Sequence, residues 1–327
     1  MTSERYQFFD QNPKLPNVVD EIKQGLRATP KRISPKYFYD AHGSVLFDQI
    51  TQLPEYYLTR TEISILDENK EKLSHIIDES CCLIEYGSGS SRKVRALINA
   101  INPRYYVPVD ISREHLNQSA RSIHDDFDKL HVYPTCADYT QGVELPDVID
   151  GAPRCGFFPG SSIGNFERED ALRFLSSIGT DIGPGGYCII GFDSRKSRAI
   201  VEPAYNDAQG VTASFNLNLL NHLNETIGTD FDQSKFEHRA FYDESRGRIE
   251  MHLVSKTAQT VSLDGETFDL TRNESIHTEN SYKYSLTEVR ELARRSGMSF
   301  VTHWEDSQAW FYVVLLRVPE STALSHN

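Results

Sequence analysis

The residues best placed to do chemistry form a glycine turn and two carboxylates that follow it. Glu85-Tyr86-Gly87-Ser88-Gly89-Ser90 comes after the apolar run CCLIEY and opens a helical pattern. Glycines let the backbone approach a ligand, and a helix N-terminus presents unpaired N–H groups to it. Asp110 closes the next apolar run, where a carboxylate can accept both hydroxyls of a ribose. A dinucleotide fingerprint would place its third glycine at position 92, which is Arg92, and no Gly-x-x-x-x-Gly-Lys-Ser/Thr loop is present. An adenosine ligand without a pyrophosphate fits better, and S-adenosylmethionine is the common one. Asp138-Tyr139 suits its adenine, with a carboxylate for the exocyclic amine and a ring for stacking. Each residue alone also suits a structural role, Asp110 as a helix cap and Asp138 in a turn.

A second Gly-rich loop, Pro159-Gly160-Ser161-Ser162-Ile163-Gly164-Asn165-Phe166, follows a later apolar run. The Asn165 amide can bind a carboxylate or position an amine, although an ordinary loop has the same composition. Tyr39, Tyr56, Tyr57 and Tyr205 are compatible with half-buried structure or with ligand contact.

The elements that must hold these residues alternate. Short apolar runs at 81–86, 105–111, 131–139, 154–158 and 185–193 read as buried strands. Between them, Val94, Leu97, Ile98 and Ile101, then Leu116, Ala120, Ile123 and Phe127, then Ala171, Leu172, Leu175 and Ile178, read as helices. Thr59 and Glu62 form a capping-box pattern for an earlier helix. This rhythm predicts an α/β, Rossmann-like parallel sheet that binds its ligand at the strand C-termini. Beyond residue 197 the pattern becomes α+β. A long helix over 211–227 precedes antiparallel strands, then a helix capped by Ser285 and Glu288, then a closing hairpin over 299–318.

Composition narrows the partners. The chain carries 34 Lys and Arg against 47 Asp and Glu, a net charge of −13, which argues against nucleic acid and anionic membranes. No apolar run approaches the length of a membrane span, and the first residues lack a signal-peptide pattern. Five cysteines without a Cys-x-x-Cys pair, and no His-Glu-x-x-His, predict a reducing cytoplasmic setting and no metal. The expected state is a monomer acting on a small molecule.

Five segments carry a resemblance: KYFYDAHGSVLFDQITQLPEYYLTRTE, IEYGSGSSRKVRALI, FFPGSSIGNF, AYNDAQGVTASFNLNLL and TENSYKYS. Together they resemble the histidine-specific Nα-methyltransferases of the ergothioneine pathway, over about residues 15–318. The resemblance implies conversion of L-histidine to its trimethyl betaine, hercynine, with S-adenosylmethionine as methyl donor. It implies a class I methyltransferase core over 60–196 and a substrate domain made of 1–59 with 197–327, with substrate between the two.

Carried over motif by motif, Gly87, Lys93, Asp110, Asp138 and Tyr139 would hold S-adenosylmethionine, together with Tyr56 or Tyr57. Gly160, Asn165 and Tyr205, with Tyr56, would hold the amino-acid end of the substrate. Glu279 and Ser281 would bind the imidazole, and Met251 would pack beside it. Asn165 and Tyr39 would orient the reacting amine. The chain departs from the family at Asn280, where an apolar residue is usual, at Tyr282, where a smaller one is common, at Leu58, which replaces a proline, and at Tyr139, where phenylalanine is frequent.

This set suits methyl transfer. The nucleophile is a neutral amine, so neutral groups can orient it where a carboxylate would hold it as an ammonium ion. Glu279 with Ser281 matches imidazole better than indole, which has one donor and no acceptor. The rival readings are Nα-methylation of another amino acid such as a tryptophan derivative, a nucleotide-dependent oxidoreductase, and a non-catalytic S-adenosylmethionine sensor.

Overall fold

The computed structural model describes residues 5–13, 17–89 and 91–320. The chain divides into two compact units. The first comprises 5–13, Leu58–Ser194 and 284–320, and the second the described residues of 17–57 with Arg195–Lys283.

The first unit is built on a nine-stranded sheet. Cys82–Tyr86 lies inside it, flanked by Tyr105–Asp110 on one side and Arg154–Phe158 on the other, all parallel. Beyond Tyr105–Asp110 come Thr135–Cys136 and then Phe9–Asp10, and beyond Arg154–Phe158 comes Tyr187–Asp193. Chain order therefore reverses direction across the sheet at Cys82–Tyr86, the arrangement that opens a crevice at that strand's C-terminal end. Helices Arg92–Ile101, Arg113–Asp126 and Arg168–Ile182 make the crossovers. Leu83, Ile84, Tyr86, Val107, Val109, Phe157, Ile189 and Ile190 are fully buried, as strands covered on both faces require.

Three local expectations change. The run 131–139 is two short strands, His131–Val132 and Thr135–Cys136, because Pro134 between them has no N–H for a ladder. The hairpin over 299–318 forms as expected, yet it belongs to the parallel sheet and not to the second unit. Phe311–Arg317 pairs antiparallel with Tyr187–Asp193 on one side and with Ser299–Glu305 on the other. Thr59 and Glu62 make no capping box. The helix is Leu58–Glu68, and Glu62 sits inside it with its carboxylate turned into the protein. The Ser285–Glu288 capping box is present as expected, and it starts helix Leu286–Arg295.

The second unit holds a four-stranded sheet in the order Lys31–Arg32, Ser275–Tyr282, Arg248–Ser255, Phe236–Asp243. Helix Val211–Ile227 packs on it, and helix Ala41–Ile50 packs on that helix. The stretch from Arg248 to Leu263 forms two strands. Its second half, Gln259–Leu263, pairs with Glu266–Leu270 in a separate ribbon, turned by Asp264 and Gly265 with φ of 47° and 75°.

Candidate active site

In the first unit the glycine turn sits at the switch point. Gly87 has φ of 73°, and both its N–H and that of Ser88 donate to the Val109 carbonyl, which ties the turn to the strand ending in Asp110. A Cβ on Gly87 would lie 3.4 Å from the Tyr139 hydroxyl and 3.5 Å from its ring. The turn, Asp110 and Tyr139 are thus brought together. Asp110 is half-buried and its carboxyl is raised above the usual range, chiefly by burial. One of its oxygens accepts the Ser112 N–H at 2.9 Å, so it also anchors the following helix. Asp138 likewise accepts the Thr140 N–H and hydroxyl through one oxygen.

Two residues that sequence reasoning passed over complete this pole. The Ser88 hydroxyl is buried without a hydrogen-bond partner among the described residues. Buried Glu62 accepts the Gly160 N–H through both oxygens, at 2.9 and 3.1 Å, and pairs with Lys93 Nζ at 2.9 Å. Gly160 has φ of 81°, the left-handed region that favours glycine, and a Cβ there would also push on that Nζ. Lys93 therefore supports the Gly160 loop as well as being an expected cofactor ligand. Asn165 stands half-buried at the end of that loop, in the 3-10 turn Ser162–Asn165. Beneath the turn, Glu85 accepts from the Tyr106 hydroxyl, and burial raises its pKa to about 8.

The second unit gathers the remaining expected residues. Register pairs Met251 with Glu279 and Ile249 with Ser281, so these side chains share one face of the sheet. Glu279 is buried, not a solvated loop carboxylate, and burial raises its pKa to about 7 against the opposing pull of Lys283. Tyr205 donates to Ser281 Oγ at 2.7 Å. Lys283, wholly buried and absent from the expected set, donates to Ser281 Oγ at 2.9 Å and to the Tyr205 hydroxyl at 3.1 Å. The period-2 pattern of Glu279-x-Ser281-x-Lys283 is the signal that could have found it. Tyr56 meets the Tyr205 ring edge-on at 6.4 Å between centroids. Tyr57 is more buried, and its hydroxyl accepts from Lys196 Nζ at 2.9 Å. Tyr39 is 44% exposed and packs edge-on against Phe47 and Phe215.

Asn280 and Tyr282, two of the departures, lie on the reverse face. Register sets them opposite Glu250 and Arg248. There Arg248 donates to Glu250 and to the Tyr282 hydroxyl, His252 Nε2 lies 3.0 Å from Glu250, and His277 Nε2 lies 3.0 Å from the Asn280 oxygen. Glu250, His252 and His277 are close enough to share a metal ion. The Arg248 guanidinium already neutralises the carboxylate, however, and sets a positive charge against a second cation.

The turn, the orphaned Ser88 hydroxyl and Asp110 fit the adenosyl part of S-adenosylmethionine. The Glu279–Ser281 face fits a small ring that bears both a donor and an acceptor. A family model described as histidine-specific, S-adenosylmethionine-dependent methyltransferase matches residues 18–318. A histidine N-alpha-methyltransferase of Mycolicibacterium smegmatis is 37% identical over 292 residues, 87% of this chain and 89% of that protein. Another, of Mycobacterium tuberculosis, is 34% identical over 301 residues, 89% and 92% of the two chains. Ergothioneine biosynthesis protein 1 of Neurospora crassa is 33% identical over 285 residues, 84% of this chain and 32% of that longer protein. The chain belongs to the S-adenosylmethionine-dependent, histidine-specific methyltransferase family.

Proposed function

We propose that the chain methylates the α-amine of L-histidine to Nα,Nα,Nα-trimethyl-L-histidine, hercynine, the first step of ergothioneine biosynthesis. Family membership supports this reading. The structural observation that carries it is the buried Glu279 carboxylate sharing a sheet face with Ser281 and Met251. Indole would leave one of those polar groups unpaired, and leaving a buried site unpaired costs as much as ~10⁴–10⁵ in discrimination.

S-adenosylmethionine, when bound, supplies an electrophilic methyl on sulfur. Gly87, Ser88, Asp110, Asp138 and Tyr139 would hold its adenosyl part, with Lys93 fixing the neighbouring Gly160 loop. Asn165, Gly160, Tyr205 and Tyr56 would hold the amino-acid end of histidine, and Tyr39 with Asn165 would orient the amine. Tyr56, which packs on the Tyr205 ring, is the better candidate of the tyrosine pair. These groups are neutral, so the amine is not held as its ammonium ion. Alignment of amine and methyl contributes up to ~7–11 kcal/mol to such a displacement.

The first unit would serve the cofactor, and the second the substrate. The net charge of −13 supports a small-molecule rather than a nucleic-acid partner. All five thiols are free and buried, in keeping with a reducing cytoplasm, and no described helix is long and apolar enough to cross a membrane. We take the working state to be a monomer.

Mass spectrometry of histidine incubated with S-adenosylmethionine and the pure protein tests the reading. A gain of three methyl groups on the α-nitrogen is expected. Equal or faster turnover of tryptophan derivatives in an amino-acid panel would replace histidine as the substrate.

A further inference from the structure

The cluster at Lys283 settles which way the Ser281 hydroxyl can point. A serine hydroxyl has two acceptor lone pairs and one proton. Tyr205 donates to Ser281 Oγ at 2.7 Å, and Lys283 donates to it at 2.9 Å. The phenol is the more acidic of the two hydroxyls and takes the donor role, so both acceptor positions are filled and Ser281 is left able only to donate. Lys283 is held by burial, by its bond to the Tyr205 hydroxyl at 3.1 Å and by its place 4.8 Å from the Tyr205 ring centroid. Its ammonium has three donors and no acceptor, so it cannot exchange roles with Ser281.

Resting on the reading that Glu279 and Ser281 face the imidazole, we propose that Lys283 is a specificity-determining positioning residue. By saturating Ser281 it makes this site select the neutral imidazole over the imidazolium. Neutral imidazole has one N–H and one bare nitrogen. The N–H meets the Glu279 carboxylate, and the bare nitrogen accepts from Ser281. Imidazolium has two N–H groups, and the second would meet an oxygen with no lone pair to offer, close to an ammonium charge.

Among the described residues, the titratable groups set at Ser281 include Tyr205, Glu279 and Lys283, with Tyr56 against the Tyr205 ring. The facing strand contributes only apolar Ile249 and Met251 on this side. Glu279 titrates near 7, and its protonation adds a second donor to the site, which disfavours histidine at low pH in the same sense. Lys283 is therefore tested by the difference between proteins and not by one pH profile.

The experiment is calorimetric titration of L-histidine into full-length protein saturated with S-adenosylhomocysteine, at pH 7.5 and 5.5. In the parent protein the dissociation constant should rise at least about tenfold at pH 5.5, following loss of neutral imidazole with its ordinary pKa near 6.5. In Lys283→Met, Ser281 regains an acceptor position, and the rise should be at least about threefold smaller than in the parent, the remainder belonging to Glu279 and the substrate amine. Lys283→Gln retains a donor and should restore the parent behaviour. S-adenosylhomocysteine affinity reports folding in each variant. Should Lys283→Met fail to bind it, Tyr205→Phe frees the other lone pair and must show the same flattening. An undiminished pH response in the donor-free variant, or none in the parent, overturns the role of Lys283. Absence of histidine binding at pH 7.5 by a protein that binds S-adenosylhomocysteine overturns the underlying functional reading instead.

Discussion

On the proposed reading, the two units prepare for their ligands by different means. In the first, the backbone does most of the work. A left-handed glycine, a strand end and a helix start lie within a few residues of one another, and Gly87, Ser88 and Asp110 follow from that geometry. In the second, recognition rests on side chains brought to one sheet face by pairing strands far apart in sequence, Met251 with Glu279 and Ile249 with Ser281. A backbone site tolerates changes of side chain but not of conformation. A side-chain site fails when one polar partner is lost.

That contrast can be broken by substitution. Glu279→Gln should have the largest effect, lowering kcat/KM for histidine about 10³-fold, within the range for a lost buried polar partner. Affinity for S-adenosylhomocysteine, measured by calorimetry, should stay within twofold. An equal loss of both would mean that the carboxylate serves the cofactor or the fold. Next, Glu62→Ala leaves Lys93 without its buried partner and the Gly160 N–H without its acceptor. Urea unfolding should show a loss of about 3–5 kcal/mol.

Gly87→Val forces a branched side chain into the left-handed region against the Tyr139 ring, a strain of about 1–3 kcal/mol. S-adenosylhomocysteine binding should weaken about 10–100-fold, whereas Tyr139→Phe should change it little. A Gly87→Val protein with parent affinity would remove the turn from the cofactor site.

Glu279 also sharpens the comparison through pH. Its pKa of about 7 in the folded chain lies above the ordinary 4.5, so the folded state binds the proton more tightly. The resulting stability is complete below pH 4.5 and is lost as pH rises through 7. Ligand-free protein should therefore lose Tm relative to Glu279→Gln between pH 5 and pH 8, measured by thermal unfolding. Asn280→Val should do least. It acts on the reverse face, so histidine KM should stay within twofold.

What could be read from the sequence follows the same division. The turn and Asp110 were legible because strand, turn and helix are contiguous. Glu62 was misread because Thr59-x-x-Glu62 satisfies a local pattern while its true partners, Lys93 and Gly160, come from distant segments. Asn280 lies between Glu279 and Ser281 in sequence, next to both imidazole candidates. Strand alternation sends it to the other face, where it meets His277. Lys283 was hidden because a lysine in a polar stretch ordinarily reads as surface. The hairpin over 299–318 was visible as a hairpin, but nothing local to it specifies Tyr187–Asp193 as its neighbour.

That last pairing bears on how the protein is made. Phe311–Arg317 is the strand that covers the open edge of Tyr187–Asp193, and it leaves the ribosome long after that strand. Until then the nascent sheet exposes unsatisfied hydrogen-bonding groups along a buried, apolar strand, a template for aggregation. Stop codons or proteolytic nicks within the final strand should yield insoluble product even though every expected ligand-binding residue has already been synthesised.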